Sequence, residues 1–336
     1  MKLSLSLGAC AALSCAAPPP PPAPLAPERS SPPAVTVSAA PTASATPAPL
    51  PIDPGADPDK LALVRSICPA AIKHQEGRVL VGCRACPPFV AESAKPDGKV
   101  EVDPADFWPV EALYRGSFSK PGAHEVASVF KGCEPHAGSY GGMLFAEQTG
   151  AGFRATTYVS GLRPERCEVY HRKDGRDLLV CQTGEAWQST HSTSVFVYDL
   201  ARAAADDPWK GKSELALVTE NGFAVCWALS HGDGIVQGSV RRFRFEDRNH
   251  DGVPDVVVDV VHRMTPYSPR IERVIQRACA DAATRAGTPD EMPSIFDPSA
   301  LLGAPVKETL EFLFDGQDFR PTAKTAASLK RLAPFL

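Results

Sequence analysis

Beyond its first fifteen residues the chain has no apolar run approaching the length of a helical membrane span, so no transmembrane helix is expected there. It also lacks a surplus of either charge. The 35 Lys and Arg and 39 Asp and Glu are intermixed and sum to −4. Without a basic stripe there is no electrostatic footprint for nucleic acid, and no nucleic-acid partner is expected. Large apolar residues are almost missing from residues 16–58, "AAPPPPPAPLAPERSSPPAVTVSAAPTASATPAPLPIDPGADP", which carry 15 of the chain's 34 prolines. Such a segment cannot bury enough surface to fold, and its prolines hold it extended. At about 3.1 Å per residue it reaches on the order of 100 Å, the length of a spacer.

What precedes the spacer is "MKLSLSLGACAALSC": one lysine, then small residues and leucines, then Cys15. That is a signal-peptide plan, too short to span a bilayer. "ALSC" resembles the lipobox of bacterial lipoproteins. The resemblance implies cleavage after residue 14 and lipidation of Cys15, with 15–58 as lipid anchor and linker. Cys10 also fits the box, but cleavage there would leave an apolar core of about six residues, below the usual range. Ala16 rather than Asp after the cysteine implies, in that family, sorting to the outer membrane. The expected location is therefore the bacterial cell envelope, with the membrane reached through the lipid. An ordinary secretory signal with two incidental cysteines is the alternative.

Residues 59–336 are long enough for one large domain or two small ones. They hold Cys68, Cys83, Cys86, Cys133, Cys167, Cys181, Cys226 and Cys279. An even set in an exported chain predicts four disulfides. "CEVYHRKDGRDLLVC" reads as two strands around a Lys173-Asp174-Gly175 turn, which places Cys167 opposite Cys181. The other pairings stay open.

The coarse pattern is helix first, then strands. "DKLALVRSICPAAIKHQ" has helical apolar spacing at Leu61, Val64, Ile67 and Ala71, interrupted by Pro69. Short β-branched or aromatic runs follow, divided by Gly, Asn-Gly and Asp-Gly turns, with a second helix expected in "YSPRIERVIQRACADAAT". The predicted domain is mainly β with a few peripheral helices.

Internal echoes refine this. "GRVLVGC" (77–83) and "GRDLLVC" (175–181) share Gly, Arg, Leu and Cys in register. "FEDRNHDGVPDVVV" (245–258) has a shortened counterpart in "FSKPGAHEVASV" (118–129) and a looser one in "HRKDGRDLLV", where Asp177 comes one position early. The 245–258 stretch resembles the calcium loop of FG-GAP repeats, the blades of integrin-type β-propellers, which run D-x-N-x-D-G-x-x-D before a strand. The resemblance covers about 14 residues. It implies calcium ligands at Asp247, Asn249, Asp251, Asp255 and the backbone oxygen of Val253. Hard oxygen donors on a tight glycine turn suit calcium, and three crowded aspartates repel one another without a cation. An EF-hand needs a glutamate where Val258 stands. The expectation is one structural calcium ion; an Asx-rich turn without metal is the alternative. Seven blades need more chain than 59–336 offers, so the expected fold is repeated β-meanders in a small or irregular propeller-like array, or a β-sandwich.

Three features look catalytic. "HAGSYGG" (136–142) resembles the nucleophile elbow of serine hydrolases, with Ser139 as nucleophile, but Ala137 replaces the first glycine and a β-hairpin is expected after it. "CRAC" (83–86) could be a redox pair, yet Pro87 and Pro88 leave no ordinary helix start to activate a thiol. Cys83, Cys86, Cys133 and His136 have a tolerable zinc spacing, against which the oxidising compartment speaks. The remaining histidines form no ligand motif. The preferred function is a non-enzymatic binding or structural role at the envelope, with a protein or glycan of the envelope or exterior as partner. The alternative is an exported serine hydrolase.

Overall fold

Within each sheet every strand pairs with the next one along the chain, in several cases across a short glycine-containing turn that returns the backbone at once. The computed structural model describes residues 56–93, 107–133, 141–187, 190–204, 207–220, 235–266, 268–286 and 301–332. Cys10, Cys15, the spacer to residue 55, His136, Ser139 and Cys226 lie outside the described residues, as does the side chain of Cys279.

Among the described residues fourteen strands form three antiparallel sheets, so the domain is mainly β. The first contains β1 (Ala70–Gln75), β2 (Arg78–Cys83), β3 (Trp108–Gly116), β4 (Glu125–Phe130), β5 (Gly142–Thr149) and β6 (Gly152–Ser160). The second contains β7 (Arg166–His171), β8 (Asp177–Trp187), β9 (Thr190–Tyr198) and β10 (Lys212–Glu220). The third contains β11 (Ile235–Glu246), β12 (Asp255–Thr265), β13 (Val306–Phe314) and β14 (Phe319–Pro321). Strand order follows chain order in all three. Only two residue pairs, Gly82 with Pro109 and Cys83 with Trp108, join β2 to β3. The β1–β2 hairpin is therefore an appendage, and the core of the domain is three four-stranded meanders: β3–β6, β7–β10 and β11–β14.

The meanders stack face to face because alternate residues of the middle sheet are apolar on both faces. Leu179, Cys181, Phe196 and Tyr198 meet Ala127, Val129, Met143, Phe145 and Val159 of the first sheet. Their neighbours Leu178, Val180, Val195 and Val197 meet Val256, Val258, Val260, Leu310 and Phe312 of the third. Each fully buried Val, Leu, Met or Phe among them contributes about 1.5–3 kcal/mol of transfer free energy. The first and third meanders share no core cluster among the described residues. Blade-like meanders are thus layered as in a sandwich, without a closed barrel.

Helices cover what the sheets leave open. The first, α1 (Pro58–Ile67), starts at Asp57, whose carboxylate accepts from the Asp59 and Lys60 N–H groups. Leu61, Leu63 and Val64 pack it on the far face of the first sheet with Trp108, Phe130 and Leu144. The helix ends at Cys68, which is extended as the residue before a proline must be. Ala71, read in the helical spacing, accordingly sits in β1. A second short helix, α2 (Pro88–Ser93), joins the same cluster through Val90. The expected later helix is α3 (Pro269–Ala286), where Ile275 packs on Ile235 of β11. The last, α4 (Ala323–Leu332), lies along β13, where Thr325 Oγ1 accepts from Glu311 N–H at 2.7 Å.

Among the described residues three disulfides join Cys68 to Cys83, Cys86 to Cys133 and Cys167 to Cys181. Cys167 and Cys181 are opposite each other in the β7–β8 register, as the hairpin argument requires. The two echoing "GR…C" segments are β2 and β8, and each ends on a cysteine that closes its own hairpin. The cysteines of "CRAC" belong to two different disulfides, which overturns the redox pair and the zinc tetrad.

Candidate functional site

The β11–β12 hairpin closes with Glu246 opposite Asp255, and residues 247–254 form its loop. Two left-handed positions, His250 (φ 61°) and Gly252 (φ 76°), turn successive N–H groups inward. They converge on the Asp247 carboxylate: Oδ1 accepts from Asp251 N–H at 3.1 Å and Oδ2 from Gly252 N–H at 3.0 Å. Asn249 Oδ1 accepts from the same Asp251 N–H at 3.2 Å, and Asp251 Oδ1 accepts from Val253 N–H at 2.8 Å. Asn249 Nδ2 donates to Asp251 Oδ2 at 2.9 Å. Asp247, Asn249 and Asp251 are all exposed.

Asp255 is different. It is fully buried, 0 % exposed. Its Oδ2 accepts from Arg248 N–H and its Oδ1 from Phe314 N–H of β13, both at 2.9 Å. A buried carboxylate is costly unless hydrogen-bonded, and these two bonds fasten the loop to the third sheet. The Val253 side chain packs on the core, and the Pro254 carbonyl accepts from Tyr170 Oη at 2.8 Å. Burial pushes the Tyr170 hydroxyl pKa upward, and the Asp255 and Asp251 charges push the same way.

Around the loop, arginines answer the acids. Arg248 bridges Glu311 and Glu246, and its pKa is raised chiefly by the hydrogen bond to Glu311. The hydrogen bond from Arg244 holds the Glu246 carboxyl below its ordinary range. Burial pushes the Asp259 carboxyl up, but hydrogen bonds from Arg242, Arg244 and Thr309 outweigh it and the pKa falls.

The donor set is all oxygen, which is what a hard cation takes. Each carboxylate oxygen that accepts one N–H keeps a second lone-pair direction. Asp247, Asn249 and Asp251 are together, while Asp255 stands behind them with both oxygens engaged. Among the described residues no three His, Cys, Asp or Glu side chains form a metal-holding group. The residue types fit calcium, and the present geometry supplies only part of its shell.

The same position recurs in the other two meanders. Glu125 opens β4, Asp177 opens β8 and Asp255 opens β12, each the first residue of the second strand of its meander. All are buried, at 6, 8 and 0 % exposure. Glu125 Oε2 accepts from Ser119 N–H at 2.8 Å, and Asp177 Oδ2 accepts from Ser117 N–H at 2.7 Å. Each follows a left-handed glycine: Gly122, Gly175 and Gly252. The sequence echoes are therefore structural equivalents. The sequence missed the partners, among them Ser117, Ser119, Arg248 and the exposed His171, whose Nδ1 lies 2.7 Å from Asp177 Oδ1. Ser119, His171 and Arg248 stand six or seven residues before their acids, a local offset that could have signalled them, whereas Ser117 is 60 residues from Asp177 and has no such signal.

Ser139 lies outside the described residues, and the chain after it enters strand β5 rather than the helix an elbow needs. Among the described residues no helix is long and apolar enough to cross a membrane. The chain matches no protein-family model, no curated protein and no solved structure.

Proposed function

We propose that the chain is an exported, lipid-anchored β-domain of the bacterial envelope with a binding or structural role. In this reading the 247–255 loop holds one structural calcium ion. Asp247, Asn249, Asp251, Asp255 and the Val253 carbonyl are its ligands, and Cys15 carries the lipid. The observation that carries the loop reading is the gathering of three oxygen-bearing side chains in one turn: Asp247 and Asn249 both accept from the Asp251 N–H, and the Asp251 carboxylate accepts from the Val253 N–H and from Asn249 Nδ2. The oxidising compartment is supported by the three disulfides. Calcium would neutralise the crowded carboxylates and hold the turn that starts β12; it takes no part in catalysis.

Calorimetry and chelation test the reading. An ion bound only to the native state stabilises it by about 2.7 kcal/mol at a hundredfold excess over Kd. Chelator should lower the melting temperature of the native chain and leave that of Asp251→Ala unchanged. No heat of binding at millimolar calcium, with melting insensitive to chelator, would make the loop a polar turn. Anchoring is tested separately, by release of Cys15→Ser from the membrane fraction.

A further inference from the structure

The third sheet has one face against the second sheet and one turned away from it, which is covered at Val257 and Ile235 and open between them. On β12 the residues Val256, Val258 and Val260 face the core, so Asp259, Val261 and Arg263 lie on the other side. Lys307 and Thr309 of β13 share that side, since Lys307 pairs with Val261 and Thr309 with Asp259. On β11 the register slips between Val240 and Arg242. Val240 and Phe243 are both core residues, so the bulge sets two successive arginines, Arg241 and Arg242, on the outer face. Bulges re-aim side chains in this way at the cost of a ladder bond.

The acids of this face are already engaged. Asp259 accepts from Arg242 at 2.8 Å, from Arg244 at 2.7 Å and from Thr309 at 2.9 Å. Glu246 is held by Arg244 and Arg248, and Glu311 by Arg248. Glu308, at the rim, is paired with Arg331 and lies 3.6 Å from the buried His262. The side chains of Arg241, Arg263 and Lys307 make no ion pair or hydrogen bond among the described residues. All three line a concavity of about 1000 Å³ whose wall also carries the two engaged acids Asp259 and Glu308.

We propose that this concavity binds a phosphate-bearing anion. Three cations without counter-charges repel one another, and their fields add where they share a wall. A multiply charged ligand answers them best, and phosphate brings up to about two charges in a small volume. Guanidinium forks match phosphate oxygens two at a time, and an ammonium adds a point charge. The volume suits a small oligophosphate or a lipid phosphate headgroup. The proposal stands apart from the calcium reading, because the loop lies at the opposite end of β12 from Arg263.

The test is titration of the full chain in calcium-free buffer with tripolyphosphate, and in parallel with phosphatidylcholine vesicles with and without phosphatidic acid. Binding to either probe is expected, weakening with salt as exposed charges are screened. Each of Arg241→Gln, Arg263→Gln and Lys307→Gln should weaken it about fivefold, and the triple variant should abolish it. Lys120→Gln/Lys173→Gln/Lys324→Gln, which removes equal charge elsewhere, should bind as the native chain does. Loss with tripolyphosphate identifies a soluble phosphate; loss with vesicles alone identifies a headgroup. Absence of binding to both probes, or equal loss in the control variant, would overturn the proposal.

Discussion

The β7–β8 hairpin turns through five residues, 172–176, and is tied at its base by the Cys167–Cys181 disulfide. The β11–β12 hairpin turns through eight residues, 247–254, and contains no cysteine. A longer loop costs more entropy to close. In its place the second hairpin has a carboxylate core: Asp247 gathers the N–H groups of the turn, and Asp255 binds the turn to β13. Both hairpins keep the buried acid at the start of their second strand. One fold device is thus closed covalently in one meander and electrostatically in another. The electrostatic version is the one that could take a cation.

The largest expected effect lies in the shared acid. Asp255→Ala removes the acceptor of two N–H groups, one of them, on Phe314, buried. At about 1–3 kcal/mol for each donor left unsatisfied, the loss should be about 4 kcal/mol. Glu125→Ala orphans a single part-buried N–H and should cost about half as much. Urea denaturation of the two variants measures the difference. Equal losses would mean that the contact to β13 adds nothing.

The disulfide comes next. Cys167→Ser/Cys181→Ser should cost about 3 kcal/mol, the chain-entropy value for a loop of about 15 residues. Hydrogen exchange should then show earlier opening of β7–β8, with β11–β12 unaffected at matched stability. Opening of both hairpins together would deny that each is closed by its own device.

How much of this could be seen in the sequence differs between these same regions. The Cys167–Cys181 bridge was legible because hairpin register is local: a turn centred on Asp174 fixes which residues face each other. The alternation and turns also revealed the meanders and the loop's donors. The role of Asp255 was not legible, since its second partner, the Phe314 N–H, is 59 residues away and is brought there only by sheet pairing. The concave cationic face was hidden for a similar reason. Arg241, Arg263 and Lys307 are dispersed along the chain, and a one-residue bulge decides where Arg241 points. Pro69 was visible, but helical spacing across it placed Ala71 in a helix that the proline in fact ends.

A smaller effect is expected at the turn glycine. Nothing lies within 4 Å of a Cβ built on Gly252, so Gly252→Ala meets no clash and pays only for its φ of 76°. That conformation costs an L-residue about 1–2 kcal/mol. Gly252→Asn should lose less, because asparagine tolerates the left-handed region. Thermal melts of the two variants decide it. A loss in Gly252→Ala much above that range would show that the loop is held by contacts at this position rather than by conformation.

The smallest effect separates carboxylate capture from cation binding. Asp315, in the β13–β14 turn, does what Asp247 does on a smaller scale: its Oδ1 accepts from Gln317 N–H at 2.9 Å and Asp318 N–H at 2.7 Å. No row of acids surrounds it in sequence, so it is a turn of this kind without the crowding. Hydrogen bonds from Asp318 and Gln317, then from Arg320, bring its pKa from the usual 3.8 to about 2. A lowered carboxyl pKa means that the folded state favours the charged form. The stabilisation is complete above the usual value and is lost as pH falls through about 2. Because the side chain is largely exposed, the contribution should stay below about 1 kcal/mol. Asp315→Asn keeps an acceptor but not the charge. The stability gap between native chain and variant, measured in urea, should therefore be constant near neutrality and shrink as the medium is acidified from about pH 4 to about pH 2. Chelator should leave that gap unchanged, whereas the corresponding gap for Asp251→Ala should close when calcium is withdrawn. If chelation alters both gaps alike, the ion acts on the third sheet as a whole and the 247–255 loop loses its special place.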